Sequence, residues 1–440
     1  MMEELRTGVM EQYGSGPGIG LIFSQGSTPG GKYLHWDDLL YRDPPEGLDH
    51  KAWWLGIKMS RAGRLVPTPL KDSQGQVVQF GVTDRAQEIL HFVDKMAAGS
   101  IETPEELMNP ETRDFYISKS VAEEAIRSSQ LEGAATTRLV AKELLQTGRP
   151  PKGKAEQMIY NNYQAMLSIR DLKGQPLTPA MVLHLQEVLT IDTLKDPTAS
   201  GRLRRADEDI IVSDRNSQAT LHVPPPAEEL DSRLIRLCAF ANNETGLQFI
   251  HPVLRAILLH YWLAYDHLFV DGNGRTARAL FYWSMASQGY WLCEFLSISR
   301  LLHAAPAKYG LAFLHSETDD NDATYFILHQ LETLQKAIFD LHAYLERKTS
   351  EMAEARERLA SNSKLSKALN HRQVALIQHA IRHSGYLYSI EQHRRIHGVA
   401  YQSARTDLLN LVELGLLIRQ KSGRRFIFRT VENLEAKLRT

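Results

Sequence analysis

From about Thr83 onward the chain is patterned for helices. Apolar residues recur at three- and four-residue intervals in Asp84–Met96, Ser118–Leu131, Ala155–Ile169, Pro179–Thr190, Leu230–Asn242 and Pro252–Asp266, the spacing that lines one face of an α-helix. The run Gly148–Gly153, with Pro150 and Pro151 inside it, breaks the pattern and predicts a connector. Asp209–Val212 and Thr220–Val223 are β-prone and flank Ser213–Gln218, which predicts a hairpin within the helical region. Such a hairpin is either an ornament or a substrate-facing flap. Leu345–Leu369 is charged, with few apolar positions, and predicts a linking helix.

Upstream of Thr83 the pattern is weaker. The first ~30 residues are rich in Gly, Ser and Pro. The Gly14–Gly20 run follows no strand and carries no Lys–Ser/Thr pair, so it predicts a flexible loop rather than a phosphate loop. Lys32–Val82, with Trp36, Trp53 and Trp54 among Gly and Pro, predicts an irregular region with a hairpin, a strand at Gln76–Val82 and the aromatics in its core.

The C-terminal part has its own order. Helices at His371–His383, Ile390–His397 and Ala400–Leu414, with Gly398 as the turn, precede two strand-like runs, Leu416–Gln420 and Phe426–Arg429. Helix, helix–turn–helix and hairpin predict a winged helix-turn-helix. The expected fold class is therefore mainly α, divided as 1–115 (N-terminal region), 116–345 (helical body), 346–369 (linker helix) and 370–440 (winged helix).

Composition is that of a globular protein, with 43% hydrophobic and 23% charged residues among 440. Two cysteines, Cys238 and Cys293, exclude a disulfide framework and a Cys-rich zinc site. No apolar run approaches the ~20 residues that span a bilayer, and Met1–Arg6 does not open a secretory signal. A cytoplasmic protein without a membrane partner is expected. The net charge of -1 is an average of unlike parts. Residues 370–440 hold twelve Lys or Arg against five Asp or Glu, a net of +7, which leaves -8 for the rest. The basic part suits DNA, with Tyr401, Gln402, Ser403, Arg405 and Thr406 as groove-facing candidates and Arg424 and Arg425 at the wing tip; the alternative is a winged helix used for protein contact.

The chemistry concentrates in His267-Leu-Phe-Val-Asp-Gly-Asn-Gly-Arg-Thr-Ala-Arg278. An apolar helix runs into it, two glycines flank Asn273 and predict unusual backbone angles, and helical spacing resumes at about Arg275. Such a turn presents backbone N–H groups at a helix N-terminus, an anion site, beside the cations of Arg275 and Arg278. His267 can act as a general base. Asp271 is a carboxylate suited to Mg2+. This set fits phosphoryl or nucleotidyl transfer. His251, His260, His315 and His329 show no metal-pair spacing and are expected as core or surface residues.

These residues resemble the signature of the Fic family, His-x-Phe-x-Asp/Glu-Gly-Asn-Gly-Arg-x-x-Arg, met here by His267, Phe269, Asp271, Gly272, Asn273, Gly274, Arg275 and Arg278. Leu268 stands where many members have Pro. The resemblance implies a Fic-type helical bundle with the hairpin as a flap for a target segment. It also implies transfer of AMP from ATP to a target protein's Ser, Thr or Tyr hydroxyl. His267 would be the base, Phe269 a core support and Asp271 the Mg2+ ligand. Asn273, Gly272 and Gly274 would hold the α- and β-phosphates, Arg275 the β-phosphate and Arg278 the γ-phosphate. Upstream, Ser128-Ser-Gln-Leu-Glu132-Gly133 matches the family's inhibitory pattern, which implies that Glu132 competes for Arg278. A homodimer masking the motif helix is a family expectation. Three alternatives stay open: removal of AMP instead of transfer, transfer of a group such as UMP or phosphocholine, and a DNA-binding regulator with a nucleotide-sensing core.

Overall fold

The computed structural model of the chain describes residues 2–14, 18–98, 110–208, 210–213, 219–246, 248–360, 368–382, 386–422, 425–431, 434 and 437. They fall into two compact units interleaved in sequence, Met1–Lys95 with Ser168–Trp291 and Leu301–Gln335, and Met96–Leu167 with Leu292–Arg300 and Lys336–Thr440. The unit edges do not follow the boundaries expected from the sequence.

The first unit is built on the helix Pro252–Asp266, in which every residue but Pro252 and Ala264 is buried. An all-round apolar sequence needs neighbours on every face. They include the helices Leu230–Ala241 and Asn273–Ser287. Buried Arg255 is satisfied by the Phe240 carbonyl at 2.6 Å and Asn243 Oδ1 at 2.7 Å. The helix Pro179–Thr190 starts on Thr178, whose hydroxyl accepts from Met181 N at 3.2 Å, with Pro179 next. A hydroxyl cap and a Pro in the first turn are both favoured there.

The N-terminal segment departs from expectation. Met2–Tyr13, Gly18–Phe23 and His50–Ala62 are helices, so the Gly-rich stretch is largely helical; residues 15–17 lie outside the described residues. The physical reason is close approach. A Cβ on Gly56 would lie 2.4 Å from the Ile22 carbonyl oxygen, so glycine there lets the two helices touch. Trp53 and Trp54 are core, as expected. Val66–Lys71 and Val77–Phe80 form the antiparallel hairpin. This segment is tied down by buried cations. Lys58 Nζ reaches Asp319 Oδ1 at 2.7 Å, and Arg61 donates to the Tyr325 hydroxyl at 2.8 Å and the Leu34 carbonyl at 2.9 Å.

In the second unit the helix Pro110–Leu131 packs against Arg138–Thr147. The stretch expected as a separate linking helix continues a single helix, Thr324–Ala360; 361–367 lie outside the described residues. The C-terminal elements are His371–Arg382, a strand Leu387–Ser389, Ile390–His397, Tyr401–Glu413 and the strands Leu417–Ser422 and Arg425–Thr430. Arg425–Thr430 is the middle strand of this antiparallel sheet. Its core holds Ile377, Leu408, Leu411 and Phe428. Asp407 is the polar hub, accepting from Asn370 Nδ2 at 2.7 Å, Arg372 Nε at 2.7 Å and His393 Nε2 at 3.1 Å. Those donors hold its carboxyl well below the usual range against the opposing effect of burial.

Cys238 and Cys293 are buried free thiols; burial pushes Cys238 up to about 12. No helix among the described residues is long and apolar enough to cross a membrane.

Candidate active site

The site is a helix end, a turn and a helix start. The helix Pro252–Asp266 stops at His267, which takes the left-handed conformation with φ 47° and ψ 56° and closes the last turn by donating its N–H to the Leu263 carbonyl at 3.1 Å. A residue with a Cβ is uncommon there and costs of order 1 kcal/mol. His267 is half-buried, and its Nδ1 lies 3.3 Å from the Ala264 carbonyl. A carbonyl only accepts, so this contact favours the tautomer with hydrogen on Nδ1 and a basic Nε2.

The turn is locked from several sides. Asn273 is 3% exposed, and its amide clamps Phe269, accepting from the Phe269 N–H at 2.9 Å and donating to the Phe269 carbonyl at 2.7 Å. The amide oxygen and one N–H of the amide nitrogen are thereby engaged, and that nitrogen carries a second N–H. Phe269 is fully buried, as expected of a core support. Gly272 has φ 89°, and a Cβ there would come within 3.0 Å of Thr190 Cγ2, so glycine is required twice over. Gly274, by contrast, lies inside the helix that begins at Asn273. The unusual angle belongs to Gly272 alone, and helical structure resumes two residues earlier than expected. The helix then presents the N–H groups of its first turn without intrahelical partners.

Asp271 Oδ1 accepts from Gly272 N at 2.5 Å and Arg275 Nη2 at 3.1 Å. Its side chain is 40% exposed. Oδ2 has no partner among the described residues. Arg275 is fully buried, with Nη1 donating to the Leu189 carbonyl at 2.8 Å and Nε left without a partner. Two of its donors are therefore spent on the protein. Arg278 is buried as well.

Residues not singled out from the sequence complete the frame. Arg204 donates from Nε to the His267 carbonyl at 2.9 Å and from Nη2 to the Pro225 carbonyl. One guanidinium thus joins the motif to the chain leaving the hairpin. The signal for it was the basic run Arg202–Arg205 just before the hairpin. Gln186 donates to the Asp271 carbonyl at 3.1 Å and accepts from Gly201 N at 2.7 Å. Asp266 is fully buried between Arg233 Nη1 at 3.0 Å and Trp262 Nε1 at 2.9 Å, and burial pushes it up to about 6 in spite of them. No spacing rule would have paired Asp266 with Arg233.

The hairpin is present as Val212–Ser213 paired with Thr220–His222, with a register shift between Val212 and Ser213; residues 209 and 214–218 lie outside the described residues. His222 fixes it, with Nε2 2.7 Å from the Tyr265 carbonyl and Nδ1 2.7 Å from Glu317 Oε2.

The inhibitory-pattern residues lie in the second unit. Ser128 is buried on the helix Pro110–Leu131, Glu132 follows its last residue, and Gly133 has φ 95°. Ala134 N bonds the Ser129 carbonyl at 2.9 Å and Gly133 N the Gln130 carbonyl at 3.0 Å, the Schellman ending of a helix. On the helix Tyr401–Glu413, Tyr401, Gln402, Ser403, Arg405 and Thr406 are exposed. Arg424 lies outside the described residues, and Arg425 opens a strand with its side chain outside them.

His35, Asp37 and His315 bring one ligand atom each within 4.8 Å of one another. The two imidazoles stack with centroids 3.9 Å apart and planes at 9°. Ligand lone pairs lie in the ring plane, and one ion cannot lie in two parallel planes. Of the histidines expected as core or surface residues, His260 and His315 are buried and His251 and His329 half-buried. His260 is fully buried with Nε2 2.7 Å from the Tyr309 hydroxyl, and burial holds it well below its ordinary pKa.

Residues 176–285 match the model of the Fic/DOC family. The chain is 29% identical over 163 residues to Protein adenylyltransferase Fic of Nematostella vectensis, covering 35% of this chain and 34% of that protein. It is 28% identical over 164 residues to the protein of the same name in Drosophila grimshawi, covering 36% and 32%. The chain thus spans about a third of the length of these curated relatives. A crystal structure of a Fic family protein from Desulfovibrio desulfuricans G20 aligns with TM-score 0.50 at 17% identity, over 80% of this chain and 97% of that one, which speaks to the fold. The residues that match the Fic/DOC family model hold the His267–Arg278 turn.

Proposed function

We propose that this protein transfers AMP from ATP to a hydroxyl of a target protein. The observation that supports it most is the junction of the two helices, where His267 and a helix N-terminus share one rigid turn. Nε2 of His267 takes the proton of the incoming hydroxyl. The freed oxygen attacks the α-phosphorus, the bond from that phosphorus to its bridging oxygen breaks, and pyrophosphate leaves. The first-turn N–H groups at Asn273, Gly274 and Arg275, with the Gly272 backbone, face the phosphate charge. Arg275 contributes its positive charge from beneath the turn, and Arg278 serves the γ-phosphate. The unpartnered Oδ2 of Asp271 fits Mg2+, which takes one or two carboxylates and fills its shell with substrate oxygens and water. Held there, Mg2+ would neutralise the leaving diphosphate. The hairpin between residues 209 and 223 holds the target by strand pairing.

Glu132 restrains the reaction in this reading, with Ser128 and Gly133 placing it. The C-terminal elements follow the winged-helix order, and the exposed Gln402, Ser403, Arg405 and Thr406 favour a second role in DNA binding. The resemblance adds a homodimer as an expectation, and the sequence a cytoplasmic setting. Incubation with ATP labelled at the α-phosphate and a cell lysate tests the main reading. Transfer is expected to fall by about 10²- to 10⁴-fold in His267→Ala; equal labelling by both proteins would overturn it.

A further inference from the structure

We propose that the cavity beside the flap strand Thr220–His222 is a docking subsite for a Lys or Arg side chain of the target segment. The inference rests on the transferase reading and adds a chemical class to its substrate. The cavity measures about 330 Å³, within the range of small-ligand clefts. Leu221, His222 and Val223 of the flap form one side, the turn at Asp72–Gln76 another, and the end of the helix Pro306–Thr318 a third.

Two independent features select a cation. The first is the lining. Asp72, Glu317 and Asp320 contribute three carboxylates, and no Lys or Arg lines the cavity. Asp72 is oriented by neutral donors, the N–H groups of Gln74 and Gln76 and the Asn321 amide, each at 2.8 Å. Neutral donors hold a carboxylate without cancelling its charge. Glu317 bonds His222 through Oε2 at 2.7 Å, and its other oxygen has no partner among the described residues. Asp320 is offset in part by Lys58 at 3.1 Å, which also serves Asp319 at 2.7 Å. Arg233 lies behind the turn, but its charge faces Asp266 and Glu229.

The second feature is Tyr265. It lines the cavity, and its hydroxyl makes no hydrogen bond among the described residues yet is not among the sealed, unpaired atoms, so it opens to the cavity. An open phenol hydroxyl can both donate and accept. Glu317 and Asp72 both act on this hydroxyl, adding to burial in holding its pKa far above the ordinary range. The phenol therefore sits in the field of the same two carboxylates, where it can accept from an ammonium or guanidinium group.

The flap explains how such a side chain arrives. The hairpin is two-stranded, so among the described residues each strand has one edge without a strand partner. A target segment paired to that edge alternates its side chains between the two faces, and one of them falls beside His222. Leu221 and Val223 are 43% and 61% exposed and offer apolar contact to its neighbours. The subsite therefore selects an extended segment with a basic residue beside the acceptor hydroxyl.

The test is direct binding by the full chain. Two fluorescein-labelled pools of 12-residue peptides carry the same Ser, Thr and Tyr acceptors, one enriched in Lys and Arg and the other in Asp and Glu. Anisotropy is read for wild type, Gln74→Lys and Tyr265→Phe. The basic pool is expected to bind wild type at least about fivefold more tightly. Gln74 is an exposed turn residue whose backbone alone holds Asp72, so Gln74→Lys preserves the fold and should remove most of that preference. Tyr265→Phe leaves net charge unchanged and should reduce it about two- to fivefold, the worth of one hydrogen bond. Equal binding of the pools overturns the subsite. So does a preference that survives in both variants, because the acidic body of the protein would then be attracting the basic pool non-specifically. Label transfer from ATP to the pools is scored separately: its absence in every protein counts against the transferase reading, while binding still decides the subsite.

Discussion

Several helices of this protein end in the left-handed conformation, and two of them differ in the residue that takes it. The helix Pro110–Leu131 ends at Gly133, with φ 95° and a Schellman pair of bonds. The helix Pro252–Asp266 ends at His267, with φ 47°. Glycine adopts that conformation without steric cost, so the first ending is economical punctuation. Histidine strains there, and the strain persists because Asn273, Gln186 and Arg204 hold the backbone that follows. The comparison separates a relaxed stop next to Glu132 from a strained stop at His267, the base of the proposed transfer.

The strongest way to break this comparison is to give the second ending the residue of the first. His267→Gly should lower AMP transfer by about 10²- to 10⁴-fold, while the melting temperature holds or rises, since relief of left-handed strain is worth about 1 kcal/mol. Transfer is read with labelled ATP and stability by thermal unfolding. A large drop in melting temperature would show that the imidazole is structural. Next in size is Glu132→Gly, expected to raise transfer by about 5- to 150-fold, the range of ordinary coupling free energies, with unfolding unchanged. Transfer at the wild-type level would leave Glu132 as a capping residue only.

The two endings were not equally legible in the sequence. Long helices with unbroken periodicity were read to within a residue, as at Pro179–Thr190 and Pro252–Asp266, because burial of one or all faces dictates their pattern. The Gly18–Phe23 helix was invisible, since its formation depends on Gly56 in a partner helix 30 residues or more away. At the site, residue types and spacing singled out His267, Asp271 and the arginines as candidates. They did not reveal that Asn273 spends its amide on Phe269, or that Arg275 is sealed inside the fold. Those outcomes depend on which carbonyls the tertiary fold leaves open, such as Leu189, and a one-dimensional motif carries no record of them.

The clamp supplies the next prediction. Asn273→Ala removes two hydrogen bonds to a buried backbone and strands both Phe269 groups, a loss of about 2–4 kcal/mol. Gly133→Ala, at the other ending, introduces a Cβ at φ 95° and should cost about 1 kcal/mol. Chemical unfolding of both variants therefore ranks the two turns. A larger loss from Gly133→Ala would reverse the view that the catalytic turn is the more heavily braced.

The smallest effect is electrostatic and belongs to the residue just before His267. Asp266 is held at about 6 by burial, above its ordinary 3.8. Between those values the native protein keeps a proton that the unfolded chain has lost, so this group's contribution to stability falls as pH rises from about 3.8 to about 6. His329 acts in the opposite sense. Burial lowers it from 6.5 to about 4, so the unfolded chain binds the extra proton and stability falls as pH drops through that window. Across pH 4 to 6 the two slopes oppose each other, and the wild-type stability profile should be flatter there than either group alone would make it. Asp266→Asn removes the first slope and keeps one acceptor oxygen, for Arg233 Nη1 or Trp262 Nε1 but not for both. Its urea midpoint, measured from pH 4 to 6.5, should therefore rise with pH more steeply than that of wild type, by at most about 1.4 kcal/mol per pH unit. Parallel profiles for the two proteins would mean that Arg233 keeps Asp266 ionised throughout, and that the strained ending is braced by an ion pair instead of a buried acid.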